Sequence, residues 1–169
     1  GWTVERRFDP NQVRGELPPP PSVACRNWAV RWPDRDWTPE ERPRAVYQLR
    51  PTWNKPEELV RLCLTGSAPI GGDPVAEWVE YRAQLAADGP VKPATLVLEP
   101  TAIRGRGSIR AGTKQWPFAI ADTDAKAVEI DLRAAVSGNG SLELVFRFDN
   151  PMPFDGIKWP PVVLGKATG

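Results

Sequence analysis

Tryptophan is the residue type in this sequence whose chemistry best suits ligand binding, and two of the eight tryptophans stand in favourable positions. Trp116 and Trp159 each precede a proline, which favours a strand edge or a loop. The flat face of an indole can stack on the apolar face of a pyranose ring. This pair therefore predicts a carbohydrate site. The alternative is that each indole seals the core against the N-terminal part of the chain.

Four more tryptophans lie in the proline-rich first half, at Trp28, Trp32, Trp37 and Trp53. A buried large aromatic side chain removes about 150–250 Å² from water. Four of them carry too much apolar surface to stay exposed in a soluble monomer. We therefore expect them to cover either the rest of their own chain or a protein partner, and we favour the partner.

Several acidic side chains could supply oxygen ligands for calcium. Asp122 and Asp124 in "ADTDAK" are the predicted calcium ligands, and a solvated turn is the alternative. Asp149, Asn150 and Asp155 could act likewise, although Asp-Asn-Pro also ends a strand. Beyond this structural calcium the sequence predicts no cofactor.

The densest basic run is "RGRGSIRAGTK", which contains Arg104, Arg106, Arg110 and Lys114. These side chains could hold phosphate or a polyanion, or they could form an exposed strand face beside a flexible glycine turn. The net charge is only +1, so no overall field attracts nucleic acid. We do not expect a nucleic-acid partner.

Catalytic residue types are scarce. The sequence has no histidine, which excludes Ser-His-Asp and Cys-His catalysis and histidine-ligated metals. Cys25 and Cys63 are far apart and form no CxxC pair. The apolar run "LVRLCL" (59–64) favours a buried free thiol at Cys63, and a Cys25–Cys63 disulfide is the alternative. We predict a protein that is not an enzyme.

The elements that position these residues change character along the chain, which we expect to form a single domain over 1–169. Residues 1–53 are rich in proline and tryptophan, and they predict an extended segment with polyproline at 15–23. Candidate early strands are "WTVERRF" (2–8) and "RAVYQLR" (44–50). Proline at short intervals excludes long helices there, and Thr38–Glu41 predicts a short turn. No apolar run is long enough to span a membrane.

Residues 54–89 predict two short helices. The first follows Asn54-Lys55-Pro56-Glu57-Glu58, which puts acidic side chains in its first turn. The second begins at Asp73-Pro74, carries apolar residues at Val75, Trp78, Val79 and Leu85, and ends at Gly89.

Residues 90–169 have a period of two, which is typical of strands. The predicted strands are "ATLVLEP" (94–100), "GSIRAG" (107–112), "QWPFAIA" (115–121), "AVEIDLRA" (127–134) and "SLELVFRF" (141–148). In the last of these, alternation puts four apolar residues on the inner face, namely Leu142, Leu144, Phe146 and Phe148. The sequence therefore predicts a mainly β protein with an antiparallel sandwich.

Residues 96–165 resemble galactose-binding-type jelly rolls, in particular the N-terminal sandwich domain of family 2 glycoside hydrolases. The resemblance rests on a glycine-rich strand, a glycine-asparagine hairpin, an Asp-Asn-Pro stop and the closing "DGIKWPPVVLG" (155–165). The matching residues are Gly105, Gly107, Ile109, Gly112, Asp131-Leu132, Gly138-Asn139, Leu142, Leu144, Phe146 and Asp149-Asn150-Pro151. The resemblance implies a jelly-roll fold, and it does not imply hydrolase activity.

Two functions are compatible with these patterns. The first is a non-catalytic interaction or structural subunit of a larger assembly, with protein partners. The alternative is a carbohydrate-binding module that holds a glycan through exposed tryptophans. The chain opens at Gly1 without an initiator Met, so we expect a processed protein. The start of the chain does not indicate a compartment, and we separately favour an extracytoplasmic location or a place within a processed assembly.

Overall fold

The computed structural model describes residues 21–49, 74–136 and 140–167, and these residues are mainly β. The larger sheet has seven strands: β2 (Arg26–Trp32), β3 (Arg35–Pro39), β4 (Trp78–Ala86), β6 (Ile103–Ala111), β7 (Lys114–Ile120), β9 (Ser141–Asp149) and β10 (Gly156–Ile157). The smaller sheet has four: β1 (Ser22–Val23), β5 (Val91–Leu98), β8 (Val128–Asp131) and β11 (Val162–Ala167). Within these ranges there are also one short helix, α1 (Val46–Leu49), and a 3-10 turn at Arg133–Ala135.

Both sheets are antiparallel. The larger sheet runs in the order β10-β6-β9-β4-β2-β3, with β7 also paired to β6, and the smaller sheet runs β1-β11-β5-β8. The longest pairing joins β4 to β9, from Ser141 opposite Ala86 to Asp149 opposite Trp78. The predicted antiparallel, mainly β architecture is therefore confirmed.

One hydrophobic cluster joins the two sheets. The smaller sheet contributes Leu96, Leu98, Ile130 and Val163, and the larger sheet contributes residues from each of its long strands. The four inner-face residues predicted for β9 all belong to this cluster and are buried, namely Leu142, Leu144, Phe146 and Phe148. The alternation of "SLELVFRF" thus identified the core-facing side of this strand correctly.

The predicted second helix is wrong, because residues 78–86 form strand β4. The apolar spacing that suggested a helix also contains a period of two, and its inward members are fully buried: Val79, Tyr81, Ala83 and Leu85. Pairing with β9 on one side and β2 on the other satisfies the strand backbone on both edges. Tertiary pairing therefore overrides the local helix signals. The first predicted helix lies outside the described residues.

The described part of the proline-rich segment, residues 21–49, contains strands β1, β2 and β3 and helix α1. Trp28 and Trp32 on β2 are only 5% and 4% exposed, and they join the core of their own chain. Residues 44–50 were predicted as a strand, which is wrong, since Val46–Leu49 are helical. The predicted strand at 2–8 lies outside the described residues.

Gly105 and Gly107 lie inside strand β6, and the turn that follows this strand contains Gly112 in the left-handed region, with φ at +59°. A Cβ atom on Gly107 would lie 1.7 Å from the Arg147 carbonyl oxygen of β9. A Cβ atom on Gly105, where φ is +123°, would lie 2.9 Å from the Phe148 ring. Close approach of the neighbouring strand requires glycine at both positions.

We expect Gly107→Ala to destabilise the protein by about 3 kcal/mol, because the added methyl group must push β9 away from β6. The measurement is the free energy of unfolding in urea. Gly89→Ala is the matched control, since a Cβ there meets nothing within 4 Å, and its effect should stay within about 0.5 kcal/mol. Equal effects of the two substitutions would contradict the β6–β9 contact.

We expect Phe146→Ala to cost about 3–5 kcal/mol, because it removes a fully buried ring and leaves a cavity. This ring also stacks on Trp28, with the two ring centres 6.0 Å apart. Val162→Ala, at a side chain that is 46% exposed, should change the unfolding free energy by less than about 1 kcal/mol. A loss below about 1 kcal/mol for Phe146→Ala would place this ring outside the core.

Candidate functional site

The outward side of the larger sheet carries a row of alternating arginine and tryptophan side chains, which we call the arginine–tryptophan stack. The Arg82 guanidinium lies 4.4 Å from the centre of the Trp37 ring. The Arg31 guanidinium lies 5.1 Å from Trp37 and 5.4 Å from Trp78. Arg147 lies 5.0 Å from the other indole, Trp78. All four distances are within the range of cation–π attraction.

Strand alternation brings these residues together. Because Val79, Tyr81 and Ala83 point into the core, their neighbours Trp78, Glu80 and Arg82 must point outward. Glu80 pairs in register with Arg31 of β2 on one side and with Arg147 of β9 on the other. Three adjacent strands therefore contribute side chains to one surface.

Glu80 anchors the stack. Its side chain is only 3% exposed, and its carboxylate accepts a hydrogen bond from Arg31 Nε at 2.9 Å. The second oxygen, Oε2, lies 3.9 Å from Arg147 Nη1. Arg147 also donates to Asp149 Oδ1 at 3.1 Å. A buried carboxylate is costly unless it is paired, and here two guanidinium groups compensate its charge.

The stacked arginines keep part of their surface in solvent. The exposed fractions of the side chains are 37% for Arg31, 31% for Arg82 and 40% for Arg147. A guanidinium group has five N–H donors. Arg31 uses Nε and Nη2 on Glu80, and Arg147 uses Nε on Asp149, which leaves each of them further donors on a partly exposed side chain. The stack can therefore present guanidinium donors, already oriented, to an external carboxylate or phosphate.

A cleft of about 430 Å³ lies near one end of the same sheet. Its charged and amide side chains come from β6, from the last residue of β9 and from the segment that follows it, namely Arg104, Arg106, Asp149, Asn150 and Asp155. Burial raises the pKa of the Asp155 carboxyl, while a hydrogen bond from the Met152 amide and nearby cations oppose this effect. Arg104 Nε lies 3.8 Å from Asp155 Oδ1.

The two tryptophans predicted to bind carbohydrate lie in different environments. Trp159 is 59% exposed in the segment between β10 and β11. Trp116 on β7 is half-buried and packs against the hydrophobic cluster. No ring contact joins these two indoles in the described part of the chain. The carbohydrate site at these residues remains a prediction, and Trp159 is the more accessible of the pair.

The tryptophans predicted to bind a partner also lie in different places, some in the core and one on the outward face. Trp28 and Trp32 face the core, whereas Trp37 is half-buried within the arginine–tryptophan stack. Trp53 lies outside the described residues. Trp37 is thus the described member of this group that lies on the outward face of the sheet.

The predicted calcium ligands Asp122 and Asp124 lie in the exposed turn between β7 and β8. Asp122 Oδ1 accepts a hydrogen bond from the Asp124 amide at 2.9 Å, which shapes this turn. Across residues 21–49, 74–136 and 140–167, no group of three or more His, Cys, Asp or Glu side chains could hold a metal ion. Asp149, Asn150 and Asp155, the other proposed oxygen donors, line the cleft together with two arginines.

Cys25 carries a free thiol in the described part of the chain. Burial raises the pKa of this thiol to about 12, and its Sγ atom lies 3.9 Å from the Pro161 carbonyl oxygen. The thiol is therefore protonated and unreactive at neutral pH. Cys63 lies outside the described residues.

The residues at the centre of the stack were not predicted as site residues, namely Arg31, Trp78, Glu80, Arg82 and Arg147. The signal was present in "VEYRAQL", where polar and apolar residues alternate through seven positions. Assignment of this segment to a helix concealed that Trp78, Glu80 and Arg82 share one face of a strand.

Comparisons with known proteins return no match among family models, curated proteins or solved structures. No helix in the described ranges is long and apolar enough to cross a membrane. The function must therefore be inferred from the two surface features themselves.

We expect Glu80→Gln to destabilise the fold by about 2 kcal/mol, since two guanidinium groups lose their charged acceptor. Glu143→Gln is the matched control. That side chain is 52% exposed and lies 4.0 Å from Arg82, so its effect should be below about 0.5 kcal/mol. Urea unfolding of both variants provides the comparison, and equal stabilities would show that Glu80 does not anchor the stack.

Proposed function

We propose that this protein is a non-catalytic interaction domain of a larger assembly, and that the arginine–tryptophan stack is its docking surface for an acidic protein segment. The single observation that carries this proposal is the continuous stack of three guanidinium groups and two indoles across β2, β3, β4 and β9. Arginine and tryptophan are the residue types most enriched at the energetic centres of protein interfaces.

The stack is already ordered before a partner arrives. Arg31 is held by Glu80 and lies over two indoles, and Arg147 is held by Glu80, Asp149 and Trp78. Fixing a long side chain on binding ordinarily costs about 0.5–1.5 kcal/mol. Because these arginines are held in place, most of that cost has been met during folding.

Charge favours an acidic partner. Glu80 is buried between its two arginines, so its charge is compensated before binding. Arg110 on β6 adds an exposed guanidinium group opposite Val145, where no acidic residue faces it across the strand. A segment with several carboxylates would meet donors along this row, and the indole edges would contact its apolar side chains.

We infer that the two sheets form a galactose-binding-type sandwich with jelly-roll-like connections. The shared hydrophobic cluster and the antiparallel pairing support this arrangement. In such an arrangement the face of the larger sheet that carries the stack points to solvent, as a docking surface requires.

Glycan binding is the second candidate, and the exposure of Trp159 favours it. This indole is 59% exposed beside two prolines that stiffen its segment. A pyranose ring could stack on it without any rearrangement of the core.

The docking proposal is tested with a fluorescently labelled ten-residue glutamate peptide and the double variant Arg82→Gln/Arg110→Gln. We expect the double variant to bind the peptide about tenfold more weakly than the unchanged protein, a loss of about 1.4 kcal/mol. The double variant Arg42→Gln/Lys126→Gln removes the same charge from exposed positions elsewhere and should bind within about twofold. Peptide affinity should also fall as salt is raised.

Equal loss in both double variants would mean that only net charge matters, and it would refute the docking surface. A heparin tetrasaccharide that binds through Arg82 and Arg110 more tightly than the peptide would assign the face to sulfated glycans instead. Binding of neutral oligosaccharides that is lost in Trp159→Ala, without any peptide binding, would favour the second candidate.

A further inference from the structure

The cleft near the end of the sheet combines apolar and polar lining residues. Gly105 forms part of its floor, and a Cβ atom there would lie 3.3 Å from Asp155. Pro74, Ile120 and Met152 supply apolar wall. A volume of about 430 Å³ falls within the range typical of small-molecule sites.

The segment that borders the cleft is held by hydrogen bonds. Asp155 Oδ2 accepts from the Met152 amide at 2.9 Å, and the Asp155 amide donates to the Met152 carbonyl at 2.9 Å. The Asp155 carbonyl accepts from the Val46 amide at 2.9 Å. Asn150 adopts a left-handed conformation, with φ at +48°, while its amide donates to the Glu77 carbonyl at 2.8 Å. Asparagine tolerates this conformation better than most residues, which suits it to the turn that follows β9.

Some polar groups of the cleft already bind partners within the protein, and others can still bind a ligand. Asp155 is engaged by Met152 and lies near Arg104, so its role is to shape the site. The Arg106 side chain is exposed and lies near enough to Asp155 to attract its carboxylate, and it forms no side-chain hydrogen bond or ion pair within the described ranges. Asp149 is 48% exposed and uses Oδ1 to accept from Arg147, which leaves Oδ2 available to a ligand.

These available groups define the chemistry of a ligand. The Arg106 guanidinium can pair with a carboxylate through two parallel N–H donors. Asp149 Oδ2 and Asn150 Oδ1 can accept hydrogen bonds from hydroxyl groups, and the side-chain nitrogen of Asn150, Nδ2, can also donate. Lys158 and Arg104 add positive charge near Asp155, which favours a ligand with net negative charge. A purely cationic ligand would meet repulsion from Arg106.

We propose that this cleft binds a small hydroxy acid, with the ligand carboxylate on Arg106 and neighbouring hydroxyl groups on Asp149 and Asn150. The proposal is independent of the docking surface, since it uses different arginines. The ligand needs both a carboxylate and hydroxyl groups. Arg106 lies on β6, whereas Asp149 and Asn150 lie at the end of β9 and directly after it.

The test is isothermal titration of the full chain with D-galacturonate, D-gluconate, L-tartrate and L-lactate. D-galactose, which lacks the carboxylate, and propionate, which lacks hydroxyl groups, are the comparison ligands. We expect at least one hydroxy acid to bind at least about tenfold more tightly than both comparison ligands. Arg106→Gln should weaken that binding about tenfold, while Arg42→Gln, at an exposed position outside the cleft, should leave it unchanged.

Asp149→Asn provides a second, conservative variant. The hydroxy acid should bind more weakly, since its hydroxyl groups lose a charged acceptor, while propionate should bind no more weakly, since it loses only the repulsion of a nearby carboxylate. Thermal unfolding of each variant verifies that it is folded. Galactose binding as tightly as galacturonate, inorganic phosphate binding through Arg106 as tightly as the best hydroxy acid, or no binding by any of the four acids at 10 mM would each overturn the proposal.

Discussion

The pairing of β4 with β9 is the constraint on which the rest of this structure depends. These two strands form the longest ladder in the described part of the chain, and each has an inward row of fully or nearly fully buried apolar side chains. Because strand side chains alternate strictly, burial of one row fixes the other row on the outward face. A shift of one residue would bury Glu80 and Arg82 among aromatic rings, which makes this register strongly preferred.

The outward row solves an electrostatic problem created by that register. Glu80 sits at the centre of the sheet between two neighbouring strands, where solvent hardly reaches its carboxylate. Arg31 and Arg147 compensate the charge from both sides, and the indoles of Trp37 and Trp78 cover the guanidinium faces. The pairs therefore form a network, in which each arginine has a charged partner and an aromatic partner. Networks of this kind hold long side chains in place far better than isolated surface pairs do.

The two proposed binding features meet at Asp149. Through Oδ1 it accepts from Arg147 of the stack, and it also lines the cleft. It terminates β9 directly before Asn150, whose left-handed backbone turns the chain into the segment that borders the cleft. The Asp-Asn-Pro sequence thus ends the strand, as its composition indicated, and it also supplies polar groups to a pocket. The carboxylate connects the two surfaces structurally while their proposed ligands contact different arginines.

The sequence by itself determined the strands after residue 90 and the inward face of β9, because short runs with a period of two, separated by Gly, Pro and Asx residues, allow few other structures. It also showed that histidine chemistry is absent. Only the tertiary structure decided that residues 78–86 are a strand, since their local spacing fitted a helix. The strand forms because it pairs with β9, about sixty residues later, and with β2, about fifty residues earlier. The same holds for Gly107, where glycine is required by a neighbouring strand and not by a turn. The arginine–tryptophan stack and the cleft lay beyond prediction for this reason: each combines side chains from separate strands, and register across a sheet is set by packing of the core, which no local pattern records.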